Sequence, residues 1–97
     1  MNDLLGFIED WEQSKSKVFK SEGFEVCITD DLDNEIKSRY IEIFGNGVEA
    51  KATQWEDGFL ELSLVDESTK EILTQESHSI TAQWELEERL NWLLSEL

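Results

Sequence analysis

The residues best suited to covalent chemistry in this 97-residue chain are one cysteine, Cys27, and one histidine, His78. Together they could form a dyad in which the imidazole activates the thiol. Cys27, however, lies within an alternating stretch typical of a β-strand, and no oxyanion-hole motif lies near it. No nucleophile motif surrounds any serine. The sequence therefore predicts no catalytic residue and no enzymatic activity, and Cys27 is interpreted as a half-exposed structural thiol.

The sequence gives little more support for a metal site or a phosphate-binding site than for a catalytic dyad. Four acids fall at positions 1, 3, 5 and 12 of an EF-hand-like loop, Asp31, Asp33, Glu35 and Glu42. Ile36, however, stands where position 6 of such a loop requires glycine. One Cys and one His cannot make a zinc site, and the glycines at 45 and 47 lack the lysine of a phosphate-binding loop. We therefore expect no metal and no cofactor.

Charge narrows the choice of partners. The chain has 23 Asp and Glu against 8 Lys and Arg, a formal net charge of −15 at pH 7. Nucleic acids and anionic membranes are bound through cationic side chains, so neither is expected as a partner. The single cysteine, the missing basic leader and the missing long apolar run together predict a cytoplasmic protein. The acidity fits either a basic protein partner or simple solubility.

Aromatic and acidic residues provide the candidate partner-binding sites. Trp84, Glu88 and Trp92 follow each other at i, i+4 and i+8, nearly opposite the leucines of the last predicted helix, and interfaces are enriched in Trp. Trp55 lies at a predicted strand end, and an aromatic ring among acids suits an Arg- or Lys-rich partner. Packing of these rings within the protein is the alternative. The leading candidate is the turn of Trp55, Glu56 and Asp57, and the second patch is Asp30, Asp31 and Asp33.

The elements that position these residues follow from hydrophobic periodicity. A 3.6-residue period predicts one helix over 3–21, capped by Asn2 or Asp3 and ended by Gly23, with an apolar stripe of Leu4, Phe7, Ile8, Trp11, Val18 and Phe19. A two-residue period then predicts strands over 24–29, 39–44, 48–55, 59–65 and 71–78. Short connections make these strands antiparallel neighbours.

A second helix closes the predicted fold. Thr81 is its expected N-cap, and its apolar stripe is Leu86, Leu90, Leu93 and Leu97. Two amphipathic helices and a sheet with one apolar face predict a two-layer α+β domain, an antiparallel meander of about five strands with both helices packed on it. We expect residues 1–97 to form a single domain.

The segment 53–62, TQWEDGFLEL, followed by Val65-Asp66 and the run 71–73, resembles the TriTu family of bacterial immunity proteins. Trp55, Glu56 and Gly58 are the specific part of this resemblance, and the first and last helices are similar as well. The resemblance implies an antitoxin that binds an ADP-ribosyltransferase toxin domain and blocks its NAD-dependent active site. Such toxins are carried by Rhs proteins of type VI secretion, and their target is elongation factor Tu.

The expected partner is therefore a basic toxin domain, bound in a 1:1 complex. Two other classes of protein remain open at this point. An acidic secretion chaperone would hold an unfolded client as a dimer, with the face of Trp84 and Trp92 as the dimer seam. A nucleic-acid mimic would occupy the basic groove of another protein through carboxylates spaced like phosphates.

Overall fold

A five-stranded antiparallel sheet with helices packed on one face forms the core of the protein. The computed structural model describes residues 3–33 and 35–97. The elements in chain order are α1 (Leu4–Ser14), α2 (Ser16–Glu22), β1 (Glu25–Asp31), β2 (Ser38–Gly45), β3 (Val48–Trp55), β4 (Phe59–Asp66), β5 (Ile72–Ser79) and α3 (Gln83–Ser95). The strands lie in the order β1-β2-β3-β4-β5, and each neighbouring pair is antiparallel. The predicted α+β meander is confirmed.

The predicted N-terminal helix is two helices, which corrects the expectation of one. Asp3 caps α1 by accepting the Gly6 N–H at 2.9 Å, whereas the alternative cap, Asn2, lies outside the described residues. The break comes at Lys15, with φ −101° and ψ 5°. Just before it, the Ser14 hydroxyl donates to the Trp11 carbonyl at 2.7 Å. Serine hydrogen bonds of this kind compete with the helical ladder and bend helices.

The bend changes which residues of the N-terminal segment are buried. Trp11 and Phe19 meet edge to face across it, with ring centroids 5.9 Å apart, and both are buried. Val18, predicted to lie on the apolar stripe, is exposed instead, because the register of α2 is set independently of α1. The helix ends at Gly23 as expected, with a left-handed φ of 72°.

Alternation along the strands divides the sheet into two faces. The inner face packs against the helices and contains the buried Ile41, Ile43, Ala50, Ala52, Leu60, Leu62 and Leu64. The predicted inward positions Phe24, Val26 and Ile28 are partly buried against the same core. The outer face is defined by the alternate positions, among them Tyr40, Glu42, Phe44, Lys51, Thr53, Trp55, Glu61, Ser63 and Gln75. The helices α1 and α3 contact β3 from the inner side.

The N-cap of the last helix lies one residue later than predicted. Ala82, not Thr81, is the N-cap of α3. The carboxylate of Glu85 reaches back and accepts the Ala82 N–H at 3.1 Å and the Thr81 hydroxyl at 2.6 Å, so this hydroxyl donates and does not cap. Leu86, Leu90 and Leu93 are buried as predicted. In the described ranges, no helix has the length and apolar character needed to cross a membrane.

Candidate functional site

Three connections of the fold meet at one end of the sheet. They are the β1–β2 connection, the β3–β4 turn and the link from β5 to α3. The Glu56 N–H donates to the Lys37 carbonyl at 2.8 Å, and the Ile80 N–H donates to the Gly58 carbonyl at 2.8 Å. We call this region, residues 30–33, 35–38, 55–59 and 79–82, the Trp55 end. The two acidic candidate patches predicted from the sequence both lie there.

The indole of Trp55 lies on the outer face at this end. Its ring is half-buried and tilted by 53° against the ring of Phe59, with centroids 5.4 Å apart. Phe59 itself is 42% exposed. Sequence reasoning did not single out Phe59, although its place in the alternation, out of phase with the inward Leu60, points it outward. The two rings form an aromatic pair that keeps part of its surface open to a partner.

The turn that carries Trp55 is held from both sides. The buried side chain of Gln54 donates from Nε2 to the carbonyls of Trp55 at 2.9 Å and Phe59 at 3.1 Å. The Asp57 carboxylate accepts the Phe59 N–H at 3.1 Å. Gly58 has φ 103°, and a Cβ there would lie 2.6 Å from the Ile80 carbonyl oxygen. The turn is thus fixed before any partner binds, which lowers the entropic cost of binding.

The second predicted patch does not form one uniform surface. Asp30 accepts hydrogen bonds from Nε and Nη2 of Arg39, the latter at 3.2 Å, and Arg39 also donates to the Leu5 carbonyl at 2.9 Å. The bond to Arg39 holds the pKa of Asp30 below its ordinary value. Asp30 therefore links β1 to β2 directly, and Arg39 extends this link to α1. Asp31 ends β1 on the outer face, and Asp33 is exposed in the following connection.

The tryptophans of α3 have different surroundings. Trp84 is 64% exposed, whereas Trp92 is half-buried and packs against the hydrophobic core. Glu88, between them, is exposed. One turn away, the Trp11 indole donates to Asn91 Oδ1 at 2.9 Å and fixes α3 to α1. The predicted stripe of Trp84, Glu88 and Trp92 thus offers one open aromatic ring, not two.

Cys27 and His78 lie on the two opposite edge strands, so they do not form a dyad. Cys27 is exposed on β1, and His78 shares a hydrogen bond of 2.8 Å with Glu76 on β5. Of the acids in the EF-hand-like pattern, Asp31 ends β1 while Glu42 lies within β2. Within residues 3–33 and 35–97, no group of three or more Cys, His, Asp or Glu side chains could hold a metal ion.

The chain matches a known protein family over most of its length. The sequence model of the family described as "Immunity protein TriTu" matches residues 7–96. The matched range runs from within α1 to the end of α3 and includes every strand of the sheet. No curated protein matches the chain.

Proposed function

Because the chain belongs to the TriTu family of immunity proteins, we propose that it neutralises its cognate toxin by covering the active site of an ADP-ribosyltransferase domain. In this proposal the toxin is carried by an Rhs protein of type VI secretion, and it modifies elongation factor Tu. The family match over residues 7–96 is the observation that carries the antitoxin role. The chemistry of the toxin comes from the resemblance of the segment 53–62 to that family.

Inhibition by occlusion needs a rigid surface with buried anchors, and the Trp55 end supports this requirement. The β3–β4 turn is fixed by Gln54 and Asp57, and it carries the tilted ring pair of Trp55 and Phe59. Large aromatic side chains in such positions account for much of the binding energy of protein interfaces. The inhibitor needs no catalytic group of its own.

Charge supports the second part of the proposal, a basic toxin surface in a 1:1 complex. The net charge of −15 creates a field that attracts a basic partner and accelerates the encounter. Glu56 and Asp57 are exposed in the turn that joins the strands of the aromatic pair, and Asp33 is exposed in the β1–β2 connection at the same end of the sheet. Fast capture matters for an antitoxin, because each free toxin molecule modifies many target molecules.

A titration of toxin activity tests the proposal. The purified toxin domain is held at a fixed concentration with NAD and elongation factor Tu, and the transfer of ADP-ribose is measured while this protein is added. We expect activity to fall linearly and vanish at about one equivalent, with or without a metal chelator. A second small protein of similar net charge serves as the control for non-specific electrostatic binding.

Three outcomes would overturn the proposal. Protection at far below one equivalent would indicate turnover by this protein, not occlusion. Loss of ADP-ribose from elongation factor Tu that has already been modified would indicate an enzyme that reverses the modification. If the toxin domain keeps full activity at several equivalents, the cognate toxin belongs to another chemical class.

A further inference from the structure

The outer face of the sheet is left open by the helices. Strand pairing places its side chains in rows across the sheet, one of which contains Cys27, Glu42, Lys51, Ser63 and Gln75. The row at the Trp55 end carries the Trp55 and Phe59 rings, and the row at the opposite end carries Phe44, Val65 and the 60% exposed Ile72. The same rows also hold acids, with Glu25 and Glu49 beside Phe44 and Asp31 in the row of Trp55, so the outer face combines apolar side chains with carboxylates.

A depression of about 180 Å³ lies in this polar middle. It is lined by Lys51, Thr53, Glu61, Ser63 and Gln75. The depression exists because the side chains of Thr53 and Ser63 are small. At its border, Gln75 Nε2 donates a hydrogen bond to Glu61 Oε1 at 3.0 Å. A water molecule occupies about 30 Å³ in the liquid, so the depression has room for one long side chain.

Acids outnumber cations on the outer face. Lys51 is the only Lys or Arg at an outer position of the described strands, against Glu25, Asp31, Glu42, Glu49 and Glu61. The Lys51 ammonium lies 4.3 Å above the ring of Tyr40. Partial burial, together with a hydrogen bond and repulsion from Glu49, raises the pKa of Glu42. The described strands therefore place more acidic than basic side chains on the outer face.

We propose that the cognate toxin covers the outer face as well as the Trp55 end, and that one toxin arginine or lysine enters the depression and pairs with Glu61. The identity of the partner rests on the function proposed above. The choice of this face rests on charge complementarity with a basic partner and on continuity, because Trp55 and Phe59 belong both to the outer face and to the Trp55 end. Glu61 is the acid among the lining residues and can pair with a long cation that has an apolar stem, while the Lys51 ammonium, which also lines the depression, lies over the Tyr40 ring.

Two Gln→Arg substitutions provide a matched test. Gln75→Arg places a cation at the border of the depression, where it neutralises Glu61 and repels the entering side chain. Gln13→Arg makes the same change of charge and size at an exposed position of α1, on the helical side. Affinity for the purified toxin domain is measured by calorimetry, and melting temperature is measured for each free protein.

We expect Gln75→Arg to weaken toxin binding by about tenfold or more, since like charges across an interface are costly, and Gln13→Arg to change it by less than about threefold. Glu61→Gln, which keeps the shape and removes the charge, is expected to weaken binding by a similar factor and remains informative if Gln75→Arg melts early. Equal affinities of the Gln75→Arg, Gln13→Arg and unsubstituted proteins would overturn the proposal. A wild-type protein that does not bind the toxin domain would instead refute the proposed function.

Discussion

The two faces of the sheet come from the same strands and have opposite character. On β3 and β4 the inward side chains are Ala50, Ala52, Leu62 and Leu64, none more than 5% exposed. Their outward neighbours Lys51, Thr53, Glu61 and Ser63 are half-buried and polar. The inner face is part of the packed hydrophobic core. The outer face is flat and combines polar with aromatic side chains, which suits contact with a partner protein. We therefore propose that alternation along each strand separates the residues that stabilise the fold from those that bind the partner.

The separation makes a clear prediction for substitutions. A change on the inner face lowers the free energy of unfolding and leaves the affinity of the folded protein intact. A change on the outer face has the opposite pattern.

Leu62→Ala tests the inner face. The side chain is 1% exposed at the centre of the sheet, so its truncation leaves a cavity and lowers the free energy of unfolding by about 2–5 kcal/mol. Urea denaturation measures this loss, and the adjacent outward variant Ser63→Ala is the control, with a loss below about 0.5 kcal/mol. Similar losses for both variants would show that the two faces contribute equally to stability.

Trp55→Ala tests the outer face at the Trp55 end. An aromatic anchor desolvated at an interface contributes about 2–4 kcal/mol, so toxin binding is expected to weaken by about 30-fold or more. Trp84→Ala is the control, since its ring is more exposed but lies on the helical layer. If Trp84→Ala weakens binding and Trp55→Ala does not, the partner uses the helical layer and the assignment of faces is wrong.

Gly58→Ala tests the connection between the turn and the link to α3. The left-handed φ of 103° and the 2.6 Å approach to the Ile80 carbonyl leave no room for a Cβ. We expect a loss of stability of about 1–3 kcal/mol, together with weaker toxin binding because the turn carrying Trp55 must shift. Calorimetric unfolding and a binding isotherm give the two values. Gly23→Ala is the comparison, since Gly23 also has a positive φ, 72°, but no atom lies within 4 Å of its added Cβ.

Asp33→Asn tests the rim of the candidate interface. An exposed carboxylate usually contributes less than about 1 kcal/mol, so binding is expected to weaken about threefold. We expect Asp33→Asn to lower the association rate constant. This difference from the wild type is expected to disappear as salt rises from about 0.05 to 0.5 M. Stopped-flow association at the two ionic strengths measures it. An equal effect at both would mean that Asp33 makes a direct desolvated contact.

Asp30→Asn tests the role of the neighbouring acid in stability. Arg39 holds the pKa of Asp30 below its ordinary value of 3.8 through a direct hydrogen bond. The stabilisation is therefore present at neutral pH and is lost as pH falls through the lowered folded-state pKa. We expect Asp30→Asn to be slightly less stable than the wild type at neutral pH, with the difference shrinking below pH 3.8. A difference that does not depend on pH would exclude the ion pair as its cause.

Much of the sheet could be predicted from the sequence because tight turns fix the register. The two residues Asn46 and Gly47 have φ of 53° and 76°, and they pair Gly45 with Val48. Every pair between β2 and β3 then follows by counting, including the outward position of Trp55. The break at Lys15 could not be predicted in this way, since the apolar positions before and after it fit a single 3.6-residue period.

Less of the candidate site than of the sheet could be predicted from the sequence, because the contacts of the site depend on tertiary structure. The pairing of Asp30 with Arg39 depends on the register across a six-residue connection, which the sequence does not determine. The depression depends on small residues from neighbouring strands lying side by side. Trp92 is half-buried against the core, which the helical periodicity of α3 does not reveal.

The most direct test of the account is hydroxyl-radical footprinting of the protein alone and in complex with its cognate toxin domain. Phe59 is 42% exposed and Trp84 is 64% exposed, so both are labelled in the free protein. The account predicts that the complex protects Trp55, Phe59 and Tyr40 strongly and leaves the labelling of Trp84 unchanged. Protection of Trp84, with unchanged labelling of Phe59 and Tyr40, would contradict it and place the toxin on the helical layer.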